Sequence, residues 1–221
     1  MRRKLPTEEK KMQAPSIDRA LHEVSERFDL LKHPFYQRWV AGELTHKELA
    51  YYAGQYAHVV RAIPRWLEGA ANCDQAHRNI LRSHAAEESD HVTLWDHFAE
   101  AIGIDAAALR ATPANAATAT LIARGDELVA QGHGAAVVWS IEAQSPAVSA
   151  EKLRGLRAHY GIDETNGGQY FSVHQELDRD HEAQLRNLIY SRDATTQEAA
   201  PPAAEAMLGA MWKLLTSAQS N

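Results

Sequence analysis

Apolar positions recur through most of the chain at spacings of three and four, the period of an α-helix with one buried face. No stretch alternates apolar and polar β-branched residues, and no repeat of 20–50 residues is present, so the sequence predicts an all-α fold of seven or eight helices. Ser16 as cap and Asp18 in the first turn open a helix to about Leu31, which His33-Pro34 breaks. Phe35, Tyr36 and Trp39 then form an aromatic cluster before Gly42. Thr45 with Glu48 is a capping box opening a helix to about Ala71, bent at Pro64. A third helix covers about Gln75 to Ala101, and Thr112-Pro113 starts a fourth that ends near Gln131. A fifth contains Trp139 and Glu142, is interrupted by Pro146 and closes with EKLRGLRAHYG. Asn166-Gly167-Gly168 turns into a helix from Gln169 to Ile189. After Arg192 the pattern predicts an Ala/Thr-rich loop, Pro201-Pro202 and a last helix to about Thr216.

The helix beginning at Gln169 breaks the rule that buried stripes are apolar. At about 100° per residue, Tyr170, His174, Leu177, Asp178, His181, Leu185 and Leu188 share one face, with Val173 at its edge. Two imidazoles and a carboxylate, His-x3-Asp-x2-His, therefore stand where Leu or Val belongs. Burying them unpaired costs several kcal/mol, on the order of 2–7 per group, and a metal ion satisfies imidazole nitrogen and carboxylate oxygen directly.

The other ligands of such a centre come from facing helices, where Glu-x-x-His is the recurring unit of di-iron carboxylate bundles. Glu88-x-x-His91 fits that unit, and Glu87 lies four residues before His91. Glu87 shares a stripe with Ile80, Leu94 and Phe98, whereas Glu88 lies on the other side of His91, and the spacing does not choose between them. Glu142 is a carboxylate in an otherwise apolar stretch with Val138, Trp139 and Ile141. His84 faces the same way, as a seventh polar group or a supporting donor. Three carboxylates and three imidazoles suit two first-row metals, iron foremost, with positions open for dioxygen, and exceed the four ligands of a zinc. Taken singly, His91 reads as a hydrogen-bonded core histidine and Glu142 as the partner of an arginine; the three-residue stripe is what argues for metal.

Composition narrows the remaining classes. The 221 residues suit one large domain, taken as 16–218 behind a flexible leader over 1–15. A net charge of −6 gives no reason to expect nucleic acid or an anionic membrane as partner. A single cysteine, Cys73, suits a reducing compartment, and the start MRRKLPTEEKKMQ lacks an apolar signal core, so a cytoplasmic protein is expected.

HPFYQRWVAGELT, ELAYYAGQY, EESDHVTLW, SIEAQSPAVSAEKLRGL and YFSVHQELDRDH together resemble the heme-oxygenase-like di-iron oxidases, over about residues 30–190. That fold is shared with thiaminase II and pyrroloquinoline-quinone synthase. Within it the chain is most similar to the para-aminobenzoate synthases of folate biosynthesis, the group of the chlamydial protein associating with death domains. The resemblance implies a two-iron or iron–manganese centre using dioxygen and an external reductant, commonly in a homodimer. It puts His91, Glu142, His174, Asp178 and His181 on ligand positions, with Glu87 or Glu88 as the sixth; the chain is a few residues shorter between its Glu and His than the chlamydial pattern, which leaves that choice open. It also implies that Tyr36 is the tyrosine consumed and Lys152 the nitrogen donor, with Tyr52, Tyr56 and Tyr170 on further tyrosine positions and Ile141 in place of a tyrosine. The alternatives are a di-iron oxidase acting on an external small molecule and a cofactorless oxidase of the pyrroloquinoline-quinone synthase type. Thiaminase-like hydrolysis needs a pocket cysteine, which Cys73 in a turn does not provide. A death-domain-binding module would call for an exposed apolar surface in place of metal-competent core residues.

Overall fold

The computed structural model describes residues 9–219, with side chains described for residues 17–219. Among these the order is α1 (Glu9–Arg27), a 3-10 turn (Leu30–Lys32), α2 (Pro34–Ala41), α3 (His46–Cys73), α4 (Arg78–Ala101), α5 (Ala106–Ala111), α6 (Ala116–Ala130), α7 (Gly134–Glu142), α8 (Ser145–Gly155), a π-helical segment (Leu156–Tyr160), α9 (Gln169–Ser191) and α10 (Ala194–Gln219). No strand occurs among the described residues, and the all-α class stands.

Local chemistry explains where these elements begin. Thr45 and Glu48 form both bonds of the capping box at α3: the Thr45 hydroxyl accepts from the Glu48 N–H at 3.2 Å, and the Glu48 carboxylate accepts from the Thr45 N–H at 2.8 Å. His33-Pro34 starts a helix, and what it ends is the 3-10 turn and not the first helix. The His33 Nδ1 accepts the Phe35 N–H at 3.1 Å, Pro34 occupies the first turn where its missing N–H costs nothing, and the aromatic cluster is carried on α2. Gly42, at φ 71°, terminates that helix in the left-handed region.

Several boundaries differ from the sequence reading. The first helix begins at Glu9 and ends at Arg27, so Ser16 is interior to it, and Asp29 caps the separate turn at Leu30 by accepting the Leu31 N–H. The first eight residues of the leader expected over 1–15 lie outside the described residues. The fourth helix is capped by Asn115, whose carbonyl oxygen accepts the Thr118 N–H at 2.8 Å, and not by Thr112. The expected loop after Arg192 is helical: Asp193 accepts the Thr196 N–H at 3.0 Å, and α10 continues through Pro201 and Pro202. At the end of the fifth region, Pro146 sits in the first turn of α8, so α7 stops at Glu142 and a new helix starts at Ser145.

Helix α3 packs along α4, α9 packs on α4, α7 and α8, and α10 covers α6 and α7. The faces of α4, α7 and α9 thus meet inside the bundle, and the polar residues of the sequence analysis lie on those faces. No helix among the described residues is long and apolar enough to cross a membrane.

Candidate metal centre

Helix α4 turns Leu81, His84, Ala85, Glu88, His91 and Trp95 inward. Ile80 is 47% exposed, so the stripe that would have carried Glu87 with Ile80 is not the buried one. The side chain of Glu87 is nearly half exposed and meets the cluster from its rim, at 3.3 Å from the His181 Nε2. Glu88 is 2% exposed and central. On α9 the stripe turns inward at His174, Asp178 and His181, while Leu177 is 40% exposed and stands off it. Helix α7 contributes Glu142, which its apolar neighbours carry into the interior.

Two overlapping groups result. His84, Glu88, Glu142 and His181 offer ligand atoms all within 4.8 Å of one another, and Glu88, His91 and His174 do the same. The Glu88 carboxylate belongs to both, with one oxygen 3.1 Å from the His91 Nδ1 and the other 3.8 Å from the His174 Nε2. Asp178 lies beside the first group, 3.7 Å from the His181 Nδ1. His84 is a full member of the cluster, at 2.8 Å from Glu142. The signal was in the spacing: residues 84, 88 and 91 are i, i+4 and i+7, one face of one helix.

Whether these residues fit metal is tested by their unmet polar atoms. Buried polar groups nearly always have hydrogen-bond partners. Yet His84 Nε2, both oxygens of Glu142, His174 Nε2, both oxygens of Asp178 and His181 Nδ1 are buried without one, and beyond this cluster only His133 Nδ1 is in that condition among the described residues. His84 Nε2 and Glu142 Oε1 come within 2.8 Å without the alignment of a hydrogen bond. Bonds of about 2.0–2.2 Å to one ion set neighbouring ligand atoms on the order of 3 Å apart, as here. The His174 Nδ1 lies 2.6 Å from the backbone carbonyl of Tyr170. A carbonyl only accepts, so Nδ1 carries the proton and the Nε2 lone pair is turned toward Glu88, the arrangement that fixes ligating histidines. The donor set fits divalent first-row metals.

The electrostatics agree. Burial pushes the Glu142 carboxyl well above its ordinary range, and the charges of Asp178 and Glu88 push it further. Burial opposes ionisation of Glu88 too, but the His174 and His91 imidazoles facing it outweigh burial and hold that carboxyl below the usual range. Burial lowers the His84 imidazole to about 4, helped by the neighbouring His181. His174 and His181 are raised in spite of burial, chiefly by Glu88 and Asp178 respectively. Three acids crowded together in the interior favour positive charge beside them, and they raise His174 and His181 for that reason.

A run of rings leads away from this cluster. The His174 ring stacks on Tyr170 at 3.9 Å between centroids, Tyr170 meets Trp95 at 4.8 Å, Trp95 meets Tyr56 at 5.0 Å, Tyr56 stacks on Tyr52 at 5.4 Å, and Tyr52 meets Tyr36 at 6.2 Å. At its far end the Lys152 Nζ lies 4.6 Å from the centroid of the Tyr36 ring. Lys152 is 5% exposed, and none of the described carboxylates lies within ion-pair distance of it. The surrounding rings favour a cation by about 1–2 kcal/mol, but burying an ammonium without a counter-ion costs several, and burial holds this amine well below its ordinary value. Burial likewise raises the Tyr36 phenol, against a hydrogen bond with Tyr52.

The comparisons with known proteins follow the same lines. The family described as iron-containing redox enzyme matches residues 50–215. A protein of Chlamydia muridarum named 4-aminobenzoate synthase is 35% identical over 74% of this chain and 74% of its own. Another of that name, from Nitrosomonas europaea, is 31% identical over 96% of this chain and 91% of its own. Among solved structures, a domain from Shewanella denitrificans with a heme oxygenase-like fold superposes with a TM-score of 0.80 at 17% identity, covering 92% of each chain. The inward-facing acids and imidazoles, the all-helical fold and these relatives lead to one assignment: the chain is an enzyme of the iron-containing redox enzyme family, with the heme oxygenase-like fold.

Proposed function

We propose that the enzyme forms 4-aminobenzoate for folate biosynthesis, taking the ring from its own Tyr36 and the nitrogen from its own Lys152, with dioxygen as oxidant. His84, Glu88, Glu142, His181, His91, His174 and Asp178 would hold two iron ions or an iron–manganese pair, Glu88 serving both. When bound, the metals supply the reduction of dioxygen, with electrons from an external reductant, to an oxidant able to attack a phenol.

The chain's own residues do the rest. The observation that carries the reading is the Lys152 amine, buried without a counter-ion at 4.6 Å from the Tyr36 ring. A lysine acting as a nitrogen nucleophile has to be neutral, and burial shifts it in that direction. The aromatic packing around Tyr36 leaves the ring only 2% exposed, and the α2 helix holds it on the bundle side of the chain. The cavity at Tyr36, lined also by Tyr56, Ile141, Val148 and Met211, measures about 20 Å³. It admits one water-sized molecule, whereas sites for organic ligands run to about 300–1,000 Å³. That size favours an internal substrate over an external one. A cofactorless oxidase would leave Glu88, Glu142 and Asp178 buried without a task.

The test is intact-protein and peptide mass spectrometry of the iron-loaded enzyme after one turnover. The expected result is a Tyr36 peptide that has lost its aromatic side chain, 15N from labelled protein lysine in the product, and no product from Tyr36→Phe or Lys152→Arg. Product formation with the Tyr36 peptide at its full mass would overturn the reading in favour of an external substrate.

A further inference from the structure

The Tyr36–Lys152 pair shares a third group. Tyr52 is fully buried on α3, and its ring is fixed by Phe35 at 5.1 Å, Trp39 at 5.5 Å and Tyr56 at 5.4 Å between centroids. Its hydroxyl oxygen is 2.7 Å from the Lys152 Nζ and 3.1 Å from the Tyr36 hydroxyl. A phenol has one O–H to donate and lone pairs to accept with, so a single oxygen can serve both neighbours. A buried four-carbon lysine chain otherwise has several rotamers open to it, and the cage of rings around the amine offers attraction with little direction. The Tyr52 oxygen supplies the direction.

We infer that Tyr52 is the positioning residue of this pair: its hydroxyl bonds the Lys152 amine and the Tyr36 hydroxyl at once and so fixes the nitrogen beside the Tyr36 ring. The inference rests on the self-consuming reading above. Holding two reactants in one geometry removes much of a bimolecular barrier, and a displacement of about 1 Å can cost on the order of 100-fold in rate. Tyr52 itself loses no atom in this role.

Tyr52→Phe removes one oxygen from a packed ring and tests the inference in the full-length, iron-loaded enzyme. Product per chain is expected to fall at least ten-fold with metal content unchanged. A second readout is independent of turnover: the 15Nζ/13Cε NMR titration of Lys152 in selectively labelled protein. Charge-assisted hydrogen bonds are about twice as strong as neutral ones, so the hydroxyl favours the ammonium over the amine. Its removal is expected to move the Lys152 titration to still lower pH, while Tyr36→Phe, which leaves the Tyr52–Lys152 bond in place, moves it less. An unchanged yield in Tyr52→Phe, or a Lys152 titration that does not move or moves to higher pH, overturns the inference. These outcomes are distinct from failure of the parent reading, which would show as product formed by Tyr36→Phe or Lys152→Arg.

Discussion

The indole N–H of Trp39 donates to the main-chain carbonyl of Lys152 at 3.1 Å. Trp39 lies one turn beyond Tyr36 on α2, so this bond pins the helix of the tyrosine to the helix of the lysine. The contact is possible because Gly155 is a glycine: a Cβ there would lie 2.9 Å from the Trp39 ring and 3.1 Å from its carbonyl oxygen. It also falls where α8 passes into the π-helical segment at Leu156, a distortion that recurs at functional sites, and the Lys152 carbonyl accepts the Leu156 N–H as well as the indole.

Trp39→Phe keeps an aromatic ring and removes the donor. The loss of one buried hydrogen bond is expected to cost about 1 kcal/mol of stability. Product per chain should fall several-fold with metal content intact, as measured by chromatography and elemental analysis. Wild-type yield would show that the bond does not set the placement of Lys152.

Glu87 and Glu88 are expected to separate completely. Glu88→Gln should lose both metals, because the Glu88 carboxylate belongs to both ligand groups, whereas Glu87→Gln at the rim should keep near-normal loading. His84→Ala should bind less metal than wild type. Elemental analysis of protein grown with iron checks all three, and full loading of Glu88→Gln would contradict the shared-carboxylate geometry.

Metal uptake should release protons. Burial keeps Glu142 protonated well above the ordinary carboxylate range, and the neighbouring acids keep His174 and His181 above the ordinary imidazole value. A metal displaces those protons, so affinity is expected to rise with pH, while His84, lowered to about 4, adds no proton of its own near neutrality. Calorimetric titration of chelator-treated protein in buffers of different ionisation enthalpy measures the release. Uptake without it would argue against these ligands.

Lys152→Met should be inactive but more stable. The Lys152 amine is depressed below its unfolded value of 10.5, so the unfolded chain binds the extra proton and native stability rises with pH across the window between the depressed value and 10.5. At neutral pH the lysine therefore works against folding, and an apolar side chain of similar length removes that opposition. Tm should increase by about 2–4 °C for each kcal/mol recovered in a chain of this size. The pH dependence of Tm between neutrality and pH 10 should flatten in the variant, and an unchanged dependence would mean that the lysine is charged in the native state.

The division between what the chain announces and what its folding adds runs through these residues. Periodicity alone determined the all-α class, and the capping box at Thr45 and Glu48 formed as its spacing requires, because both depend on neighbours within one turn. The stripe of His174, Asp178 and His181 was legible for the same reason: a helix has one period, and three metal-competent groups fall on it. Helix phase was less well determined. Ile80 and Leu177 look as buried as their neighbours in a list of apolar residues, but each stands off its buried face, and only packing between the helices turned Glu88 rather than Glu87 inward and placed His84 among the buried acids. The expected ends at Ser16, Thr112 and Arg192 moved because caps are chosen by local hydrogen bonds that compete within a few residues. The amine of Lys152 and the ring of Tyr36 are 116 positions apart in sequence, and nothing in either segment encodes their distance. Their meeting, and the burial that lowers the amine's pKa, come from α2, α3 and α8 closing on one another, since desolvation and long-range contact exist only once the chain has folded.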